Sequence, residues 1–499
     1  MKTVKLLLTT IIAFSAAVSA DALSISVTTP GTLATSLASQ AADCTELVLD
    51  GPVNASDLHF VATTMRSLST LDLSKTTIAA ENNTRLATNI ASYPADQLPA
   101  YSLSGLTATM VTLPAGLKSI GAGALMSSAI TSIVIPESVT EIGNGAFADC
   151  RSLVKIDVPA TVTTVGSNTF DGCTSLTEVT YGPKSVSASE FRGCTAMWSF
   201  KGAPVTIGDN AFAGCTSLAY IELSSALKSI GSKAFYGSGL QSINLSAATS
   251  LKLIGDYAFA ACNALQSVSL PEGLTRIGKG AFFGDSNLGY MVVPSTVKNY
   301  DDFSLKGTAL NNGTTLISEA TDTIGRYALA DMANITTLTL PESLEHISAN
   351  AMQDMSSLEN IDARSLKTVP SLGDDVWNRV NQSAVTLLVD SQTEQAFLAS
   401  PQWNEFSIST SGTSTGISID AVTSDNIFAT ITETEIAVNS SLPIEGVSLY
   451  NLEGQLLELR NAAGETTVKL DISSRADRIF ILMVSIPSES VVKAIKLAR

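Results

Sequence analysis

The middle of the chain repeats one order of apolar and polar positions. Its fullest copies are residues 133–153 (IVIPESVTEIGNGAFADCRSL) and 156–176 (IDVPATVTTVGSNTFDGCTSL). Each copy begins with alternating apolar residues, reaches a proline, and continues through an apolar–glycine step to a phenylalanine and a leucine. A unit of about 20 to 25 residues that recurs in this way predicts a solenoid, because one unit alone cannot bury its apolar side.

Single positions support the register of these copies. Seven phenylalanines recur at intervals of 21 to 24 residues, and a glycine or a serine stands four places before each of them. Weaker copies at 113–125, 324–335 and 340–358 place leucine or methionine at the phenylalanine position. We count about twelve units between residues 103 and 383, including irregular ones near 303 and 377. The seven phenylalanines are Phe147, Phe170, Phe191, Phe212, Phe235, Phe259 and Phe282.

The alternation at the start of each unit predicts a short, half-buried strand. Ile133 and Ile135 would face the core, and Pro136 would end the strand because proline lacks the donor for the next ladder hydrogen bond. We interpret Gly143 as a turn residue with positive φ and the segment around Phe147 as a short helical or 3₁₀ turn. Stacked units would then build interior ladders, in which each phenylalanine contributes about 2–3 kcal/mol.

Five of the six cysteines share one position of the unit, three residues after the phenylalanine. They could form disulfides between adjacent units, whose Cα atoms would lie about 5 Å apart, or they could be buried thiols in small core sites. Because Ser238 and Asp285 fill the same position in other units, the sequence favours thiols. Cys44 lies outside the array, and no metal-type cysteine or histidine spacing occurs, so we predict neither metal nor cofactor. The five cysteines are Cys150, Cys173, Cys194, Cys215 and Cys262.

The ends of the chain differ from the array. Lys2 and Lys5 precede an apolar run and a small-residue cleavage site, which is typical of a secretory signal. Helical spacing occurs over 58–68 and 391–404, and a Ser/Thr/Gly-rich stretch separates the array from a tail of short alternating segments. The predicted segments are a signal peptide (1–20), an N-terminal cap (21–102), a solenoid with its C-terminal capping segment (103–407), a linker (408–424) and a small β-sandwich (425–499).

The repeated motif IxIPxxVxxIGxxAFxxCxxL resembles the BspA-like leucine-rich repeat family over about residues 100–400. This resemblance implies a curved right-handed β-solenoid of short parallel strands, and surface proteins of bacteria or protozoa that adhere to host matrix proteins or to other cells. The segment LVLDGPVNASDLHFV followed by LSTLDLSKTTI is similar to the usual front end of such proteins.

The tail resembles a second family, the Por secretion-type C-terminal sorting domain. The similar segments are 447–456, 468–472 and the lysine-bearing strand 491–497, whereas the stretch 478–481 lacks the family's glycine–aromatic step. The resemblance implies export by the type IX route of Gram-negative anaerobes and attachment to the outer cell surface. A purely structural β-module is the alternative, with the protein periplasmic or freely secreted.

The net charge and the candidate catalytic residues limit the classes of function that the chain can have. The chain has 29 basic and 46 acidic residues and a net charge of −17, which disfavours nucleic acid and anionic lipid as partners. No later stretch of apolar residues is long enough for a membrane span. His59 and His346 stand in different regions, and the GTSTG text at 412–416 lacks the flanking strand, the helix and the later histidine of a hydrolase elbow. We therefore expect a protein without enzymatic activity.

The strands offer a row of outward positions that is polar with few charges. Trp198, Tyr220, Glu222 and Tyr290 stand out in it, because exposed aromatic side chains on a rigid face are favoured binding anchors. They could equally cover neighbouring side chains and bind nothing. We expect a secreted or cell-surface monomer that uses the concave solenoid face to bind an extracellular protein or other cells. The alternative is a glycan-binding module for polysaccharide capture, in which the tyrosines stack on sugar rings.

Overall fold

The computed structural model describes residues 22–498 apart from a set of short gaps, and the predicted signal peptide lies outside it. The described chain forms a parallel-strand solenoid of about 16 turns, which confirms the predicted fold class. Every turn, here called a coil, contributes side chains to one continuous apolar core. The gaps are 38–39, 88–89, 312–315, 411–426, 432–434, 441–443, 445, 451–455, 463–464, 473–478 and 487–488.

One side of the solenoid, the long-strand face, carries the strands that the alternation predicts. Along Lys155–Val158 exposed and buried residues alternate, so the inner residues reach the core and the outer ones reach solvent. All pairings on this face are parallel, in three sheets of eight, three and four strands. These strands are Leu23–Ser26, Glu46–Val53, Thr70–Ile78, Met110–Thr112, Ser132–Ile133, Lys155–Val158, Glu178–Tyr181 and Ser199–Gly202; then Ser242–Asn244, Ser267–Ser269 and Tyr290–Val292; then Thr337–Thr339, Asn360–Asp362, Thr386–Leu388 and Ser407–Ser409.

A second side, the short-strand face, was not predicted. It consists of two-residue strands that pair in parallel, in sheets of four and nine strands. Two residues are too few to show an alternation in the sequence, so the pattern gave no signal for them. These strands are Gln97–Leu98, Ser119–Ile120, Glu141–Ile142 and Thr164–Val165; then Ser185–Val186, Thr206–Ile207, Ser229–Ile230, Leu253–Ile254, Arg276–Ile277, Asn299–Tyr300, Thr323–Ile324, His346–Ile347 and Ser371–Leu372.

The expectation of a positive φ at Gly143 was wrong. Gly143 is not among the residues with positive φ, and that conformation occurs two places later, at Gly145 with φ 60°. A Cβ atom on Gly143 would lie 2.5 Å from the backbone nitrogen of Ala122 in the preceding coil. Glycine is therefore needed at position 143 for close coil packing, since no side chain fits there.

The third side, the turn face, is built from turns with two left-handed residues per coil. In the coil of Phe147 these are Gly145 and Asp149, two places before and two places after the phenylalanine. Glycine, asparagine and aspartate fill many of these positions, as expected for residues that tolerate positive φ. The first left-handed position matters below, and its occupants are Tyr101, Gly123, Gly145, Asn168, Ser189, Asn210, Lys233, Tyr257, Gly280, Phe303, Tyr327, Asn350 and Asp375.

The phenylalanine ladder forms the interior of the turn face. All seven predicted rings are fully buried, and neighbouring rings along the ladder stack at centroid distances of 5.2–5.5 Å with planes within 9° of parallel. Leu305 and Trp377, in the irregular units near 303 and 377, are also buried at this position. The ladder is the element that the sequence specified best, because each coil repeats the same environment.

The cysteines are unpaired, as the sequence favoured. Each thiol of the array lies in the core and donates to the carbonyl oxygen of the residue at the phenylalanine position of the preceding coil, for example Cys173 Sγ to Phe147 O at 3.2 Å. Burial raises the pKa of the Cys150 thiol to about 11 and that of Cys262 to about 12. These thiols are therefore packing groups rather than nucleophiles.

The two ends of the solenoid are closed by short helices and loops. At the start, Asn54 and Asp57 form a reciprocal capping box for helix Ala55–Thr64, which begins earlier than the predicted 58–68. At the end, the predicted helix over 391–404 is only Glu394–Leu398, because Pro401 disfavours helical backbone at the residue before it. The remaining elements are helix Leu33–Leu37, strands Glu81–Ala87 and Ile90–Tyr93, and 3₁₀ turns Gln382–Ala384 and Trp403–Glu405.

The tail forms the predicted small β-sandwich. Its two antiparallel sheets contain three and four strands, and Val438, Val447 and Val468 belong to its own buried apolar cluster. The strand Ser407–Ser409 of the last solenoid coil includes residues that the sequence placed in the linker. The sheets, in spatial order, are Ile427–Ile431, Glu435–Ser440 and Thr467–Asp471, and Leu456–Asn461, Gly446–Tyr450, Ile479–Ile486 and Glu489–Ala498.

Candidate functional site

The long-strand face holds all four candidate binding residues. Three aromatic side chains point outward from it, with 57% of Trp198, 62% of Tyr220 and 50% of Tyr290 exposed. Glu222 is exposed two residues after Tyr220. The indole of Trp198 therefore lies on the surface and not in the core.

Trp198 and Tyr220 lie in adjacent coils at a break in the long-strand sheet. The eight-stranded sheet ends at Ser199–Gly202, and residues 218–224 form no strand. Ile221 and Leu223, at inward positions that are buried in earlier coils, are only partly buried here. The coil that carries Tyr220 thus lacks strand pairing on this face, while its short strand and Phe212 still join it to both neighbouring coils.

The ring of Tyr220 is oriented by the next coil. Its hydroxyl donates to Gln241 Oε1 at 2.9 Å, which fixes the ring along the solenoid axis and leaves the Gln241 amide group as a donor. A tyrosine held in this way loses little conformational entropy when a ligand packs on it. This geometry suits an anchor more than a loose surface ring.

Beyond Glu222, a stretch without charged side chains continues along this face. The outward residues of the three-stranded sheet are serine, asparagine, tyrosine and valine, and the sheet ends with Tyr290 and the 41% exposed Val292. Between the two tyrosines lie two coils whose outward side chains offer only hydroxyl and amide groups. This uncharged strip, the two tyrosines and the adjacent Trp198 and Glu222 form the candidate site; its outward residues are Trp198, Tyr220, Glu222, Gln241, Ser242, Asn244, Gln266, Ser267, Ser269, Tyr290 and Val292.

Two buried carboxyl groups were missed by the sequence analysis. Glu190 occupies a position that holds alanine in most coils; it accepts from Ser187 N at 2.7 Å and contacts the Tyr181 hydroxyl at 3.0 Å. Asp285 occupies the cysteine position and accepts from Cys262 N at 2.8 Å. In each carboxyl the second oxygen is buried without a hydrogen-bond partner. Burial raises the pKa of Glu190 to about 8 and that of Asp285 to about 9, so both are protonated near neutral pH.

A histidine–serine contact resembles a nucleophile–base pair but has a simpler explanation. His346 Nδ1 lies 2.8 Å from Ser371 Oγ on the short-strand face. Thr206 and Ser185 form the same kind of bond between adjacent coils of that face, also at 2.8 Å. The contact of His346 is thus one more link between stacked coils, and Ser371 Oγ also donates to the carbonyl oxygen of Glu345.

Other kinds of site give no signal in the part of the chain that the structure describes. No group of three or more His, Cys, Asp and Glu side chains there is arranged to hold a metal ion. No helix among the described residues combines the length and apolar character that crossing a membrane requires. A shallow groove on the short-strand face follows the glycines Gly121, Gly143 and Gly166 and is open to solvent.

The fold and the exposed strand face define a leucine-rich-repeat solenoid, which is generally a binding scaffold rather than a catalytic fold. The BspA type leucine-rich repeat region matches residues 82–198, 184–311 and 302–427, which together span more than half of the chain. The chain belongs to this family of surface proteins. The matched segments end at residue 427, so the relation of the tail to a sorting domain stays a prediction.

The chain is similar to several solved structures. A leucine-rich repeat protein from Bacteroides ovatus is similar with a TM-score of 0.56 and 18% identity, over 78% of this chain and 91% of that one. The pneumococcal vaccine antigen PcpA is similar with a TM-score of 0.34 and 14% identity, over 62% and 82% of the two chains. A leucine rich cell surface protein from Faecalibacterium prausnitzii gives 0.29 and 16%, over 59% and 93%. The first likeness shows the fold alone, and no curated protein matches the chain.

Proposed function

We propose that the protein is a secreted or cell-surface adhesin that binds an extracellular protein through the long-strand face. The observation that carries this proposal is the group of Trp198, Tyr220 and Tyr290, which are all at least half exposed on a rigid repeat scaffold. Tryptophan and tyrosine are the residues most enriched among binding hot spots, and a rigid scaffold lowers the entropic cost of using them.

The neighbouring coils supply the means to test this face without disturbing the fold. On the long-strand face, equivalent residues of successive coils lie side by side and form columns. In the column of Tyr220 the two neighbouring coils have Ser199 and Ser242. In the columns of Tyr290 and Trp198 the preceding coil has Ser267 and Thr177, respectively. The changes Tyr220→Ser, Tyr290→Ser and Trp198→Thr therefore install residues that sister coils already accept. Tyr236→Ala is the matched control, because Tyr236 is 44% exposed on the turn face and its column holds Ala213 and Ala260.

Binding of the full chain to immobilised fibronectin, fibrinogen, laminin and collagen, and to intact bacterial cells, tests the proposal. We expect at least one of these to retain the chain, the triple variant to lose at least about tenfold in affinity, and Tyr236→Ala to bind as the parent does. Failure of the parent chain to bind any protein or cell would reject adhesion. Unchanged binding by the triple variant would reject the long-strand face.

The uncharged strip supports a second candidate, a glycan ligand on the same face. Hydroxyl and amide side chains between Tyr220 and Tyr290 suit a neutral, hydroxyl-rich chain, whose sugar rings could stack on the tyrosines. Retention of the parent by a neutral polysaccharide, but not by the proteins above, would favour this candidate. Loss of that retention in the Tyr220→Ser, Tyr290→Ser variant would assign it to this strip.

We further propose that the C-terminal sandwich attaches the protein to the outer surface of the producing cell. The support is the similarity of 447–456, 468–472 and 491–497 to a sorting domain. Protease treatment of intact cells, followed by mass spectrometry of the released peptides, tests the location. Release of solenoid peptides from unbroken cells is expected, whereas their appearance only after lysis would contradict surface attachment.

A further inference from the structure

The short-strand face carries a line of exposed lysines that the proposed function does not use. In most coils the residue just before the two-residue strand donates its backbone N–H to the equivalent residue of the preceding coil, for example Thr275 N to Lys252 O at 3.0 Å. These residues therefore form a column along the solenoid axis. We call four of them the lysine column: Lys184, Lys228, Lys252 and Lys298.

The ammonium groups of the lysine column are available to a ligand. All of these lysines are exposed, and in the part of the chain that the structure describes none of them belongs to a salt bridge. Lys252 Nζ donates to Thr249 O at 3.4 Å, which leaves further donors of its ammonium group for a partner. Arg276 on the same face differs, because Asp301 neutralises it at 2.7 Å.

The lysine column has a definite length, and the charge changes sign at its end. Neighbouring parallel strands lie about 4.8 Å apart, so the coils from Lys184 to Lys298 cover about 24 Å. Four of the six successive positions in this stretch are lysine, and the next two coils have Asp322 and Glu345 at the same position. In a chain of net charge −17 this is a local concentration of positive charge, which attracts anions.

Hydroxyl and amide side chains adjoin the lysine column. The first residue of each short strand follows the column residue directly, and in these coils it includes Ser185, Thr206, Ser229 and Asn299. Thr206 Oγ1 donates to Ser185 Oγ at 2.8 Å, so these groups also connect adjacent coils. The face thus combines cationic groups with neutral hydrogen-bonding groups, which suits a ligand that carries both acidic groups and hydroxyls.

We propose that the lysine column is a second binding site, which holds a linear acidic polysaccharide along the solenoid axis. The carboxylate or sulfate groups of the polymer pair with the lysine ammonium groups, and its hydroxyl groups bond to the adjoining serine, threonine and asparagine side chains. Leu253, 41% exposed among these polar residues, offers an apolar contact to the C–H groups of a sugar ring. The site is separate from Tyr220 and Tyr290, which lie on the long-strand face.

The layout of charge on this face favours a linear ligand over a planar one. Four residues beyond the lysine column stand Asp209, Asp256 and Asp302, whose carboxylates accept from backbone N–H groups of the next coil, for example Asp209 Oδ1 from Ser232 N at 2.7 Å. At about 3.3 Å per residue these acids lie within about 13 Å of the column. A membrane of anionic lipids would cover the acids as well as the lysines and be repelled, whereas one polymer chain can contact the lysines alone.

Charge density and side-chain type argue against other macromolecules. Duplex DNA carries one negative charge per about 1.7 Å of its axis, so four lysines over about 24 Å would neutralise few of them. Single-stranded nucleic acid needs aromatic side chains on which its bases stack, and the six column positions and the residues that follow them include none. Lysine is depleted in protein–protein interfaces. A polysaccharide with single charges on successive or alternate sugar units matches this spacing better.

Equilibrium binding of the full chain to immobilised polygalacturonate, chondroitin sulfate and neutral dextran tests the site. We expect the parent to bind at least one of the two acidic polymers and not dextran, with an affinity that falls as salt rises from about 0.05 M to about 0.5 M. The variant Lys228→Thr, Lys252→Thr should lose at least about tenfold in affinity. Threonine fits this column, because the Thr275 hydroxyl donates to Lys252 O at 3.1 Å.

The matched control removes the same charge from the long-strand face. It is Lys155→Ser, Lys201→Thr, at exposed positions where neighbouring coils have Ser132 and Thr180, and it should bind as the parent does. A gain of charge gives a second readout that does not depend on the first variant. Asp322→Lys lengthens the lysine column by one coil and should bind the acidic polymer more tightly than the parent.

Several results would overturn the proposal. They are no binding of the parent to either acidic polymer, equal binding to dextran, equal affinities of the lysine variant and its control, and binding confined to duplex DNA or to phosphatidylglycerol vesicles. The variant Tyr220→Ser, Tyr290→Ser separates this site from the proposed adhesin site. If it binds the acidic polymer as the parent does, the lysine column stands whatever the outcome for adhesion; if it alone abolishes binding, the polymer lies on the long-strand face.

Discussion

The turn face contains two stacks of aromatic rings that follow opposite rules. The inner stack, from Phe147 to Phe282, recurs once per coil, is fully buried and aligns almost in parallel. A second group of rings lies on the outside of this face in four successive coils; this outer aromatic row (Tyr257, Phe283, Phe303 and Tyr327) is partly exposed, and three of its residues have left-handed backbone. The difference teaches that in a repeat protein the regular positions report packing, whereas local departures from the repeat at the surface are the places to look for binding.

The largest expected difference in folding stability is between two variants, each of which lacks one ring of one stack. Phe235 is buried between Phe212 and Phe259, with both centroid distances at 5.2 Å, so Phe235→Ala should cost about 3–5 kcal/mol. Phe303→Asn removes a ring contact but also relieves a left-handed aromatic residue, so its effect should stay within about 1 kcal/mol. Urea unfolding followed by circular dichroism measures both. Equal losses for the two variants would abolish the distinction between the stacks.

The buried carboxyls sharpen the comparison, because Glu190 and Asp285 are departures from the repeat inside the core. Their folded pKa values of about 8 and about 9 lie above those of unfolded acids. The folded state therefore binds more protons between about pH 4 and pH 9, and stability falls as pH rises through this range, by at most about 1.4 kcal/mol per pH unit for each group.

Thermal unfolding at pH 5 and pH 8 measures this dependence. We expect a lower midpoint at pH 8 for the parent chain and a smaller difference for Glu190→Gln combined with Asp285→Asn, which keep the shape of the carboxyls without the charge. Identical differences in parent and variant would show that neither carboxyl is held protonated in the core.

The smallest expected difference in folding stability is between substitutions of two glycines in one coil. Gly143→Ala should cost about 1–3 kcal/mol, because the new Cβ would lie 2.5 Å from the nitrogen of Ala122. Gly145→Asn should change stability by less than about 1 kcal/mol, since Asn168 and Asn210 hold the same left-handed position in other coils. Chemical denaturation of the two variants tests whether contact or backbone conformation selects each glycine; a reversed order would contradict the close packing at Gly143.

The interior and the long-strand face could be predicted from the sequence because their signals recur. Alternation placed Tyr220 and Tyr290 outward, and a repeated small residue indicated that Cys173 and its equivalents are unpaired. The role of Gly143 could not be predicted, since a glycine required for space and one required for φ look identical in a sequence. The outer aromatic row was missed because Phe303 and Tyr327 look like irregularities until the stacking of coils brings them together.

The two acidic residues in the core were not predicted for a related reason. Glutamate and aspartate usually lie on protein surfaces, so only the positions of Glu190 and Asp285 within the repeat unit show that they are buried. That position was already known for Asp285, which the sequence aligned with the cysteines. A charged residue at a buried slot could therefore have been recognised as a candidate for a raised pKa.

The most direct test of the central claim, binding through the long-strand face, is hydrogen–deuterium exchange of the full chain. It should be recorded with and without the matrix protein that retains the chain in the binding panel. The account predicts slower exchange in peptides that cover residues 196–224 and 264–293, with little change in peptides from the short-strand face. Protection confined to the short-strand face or to the C-terminal sandwich would contradict it.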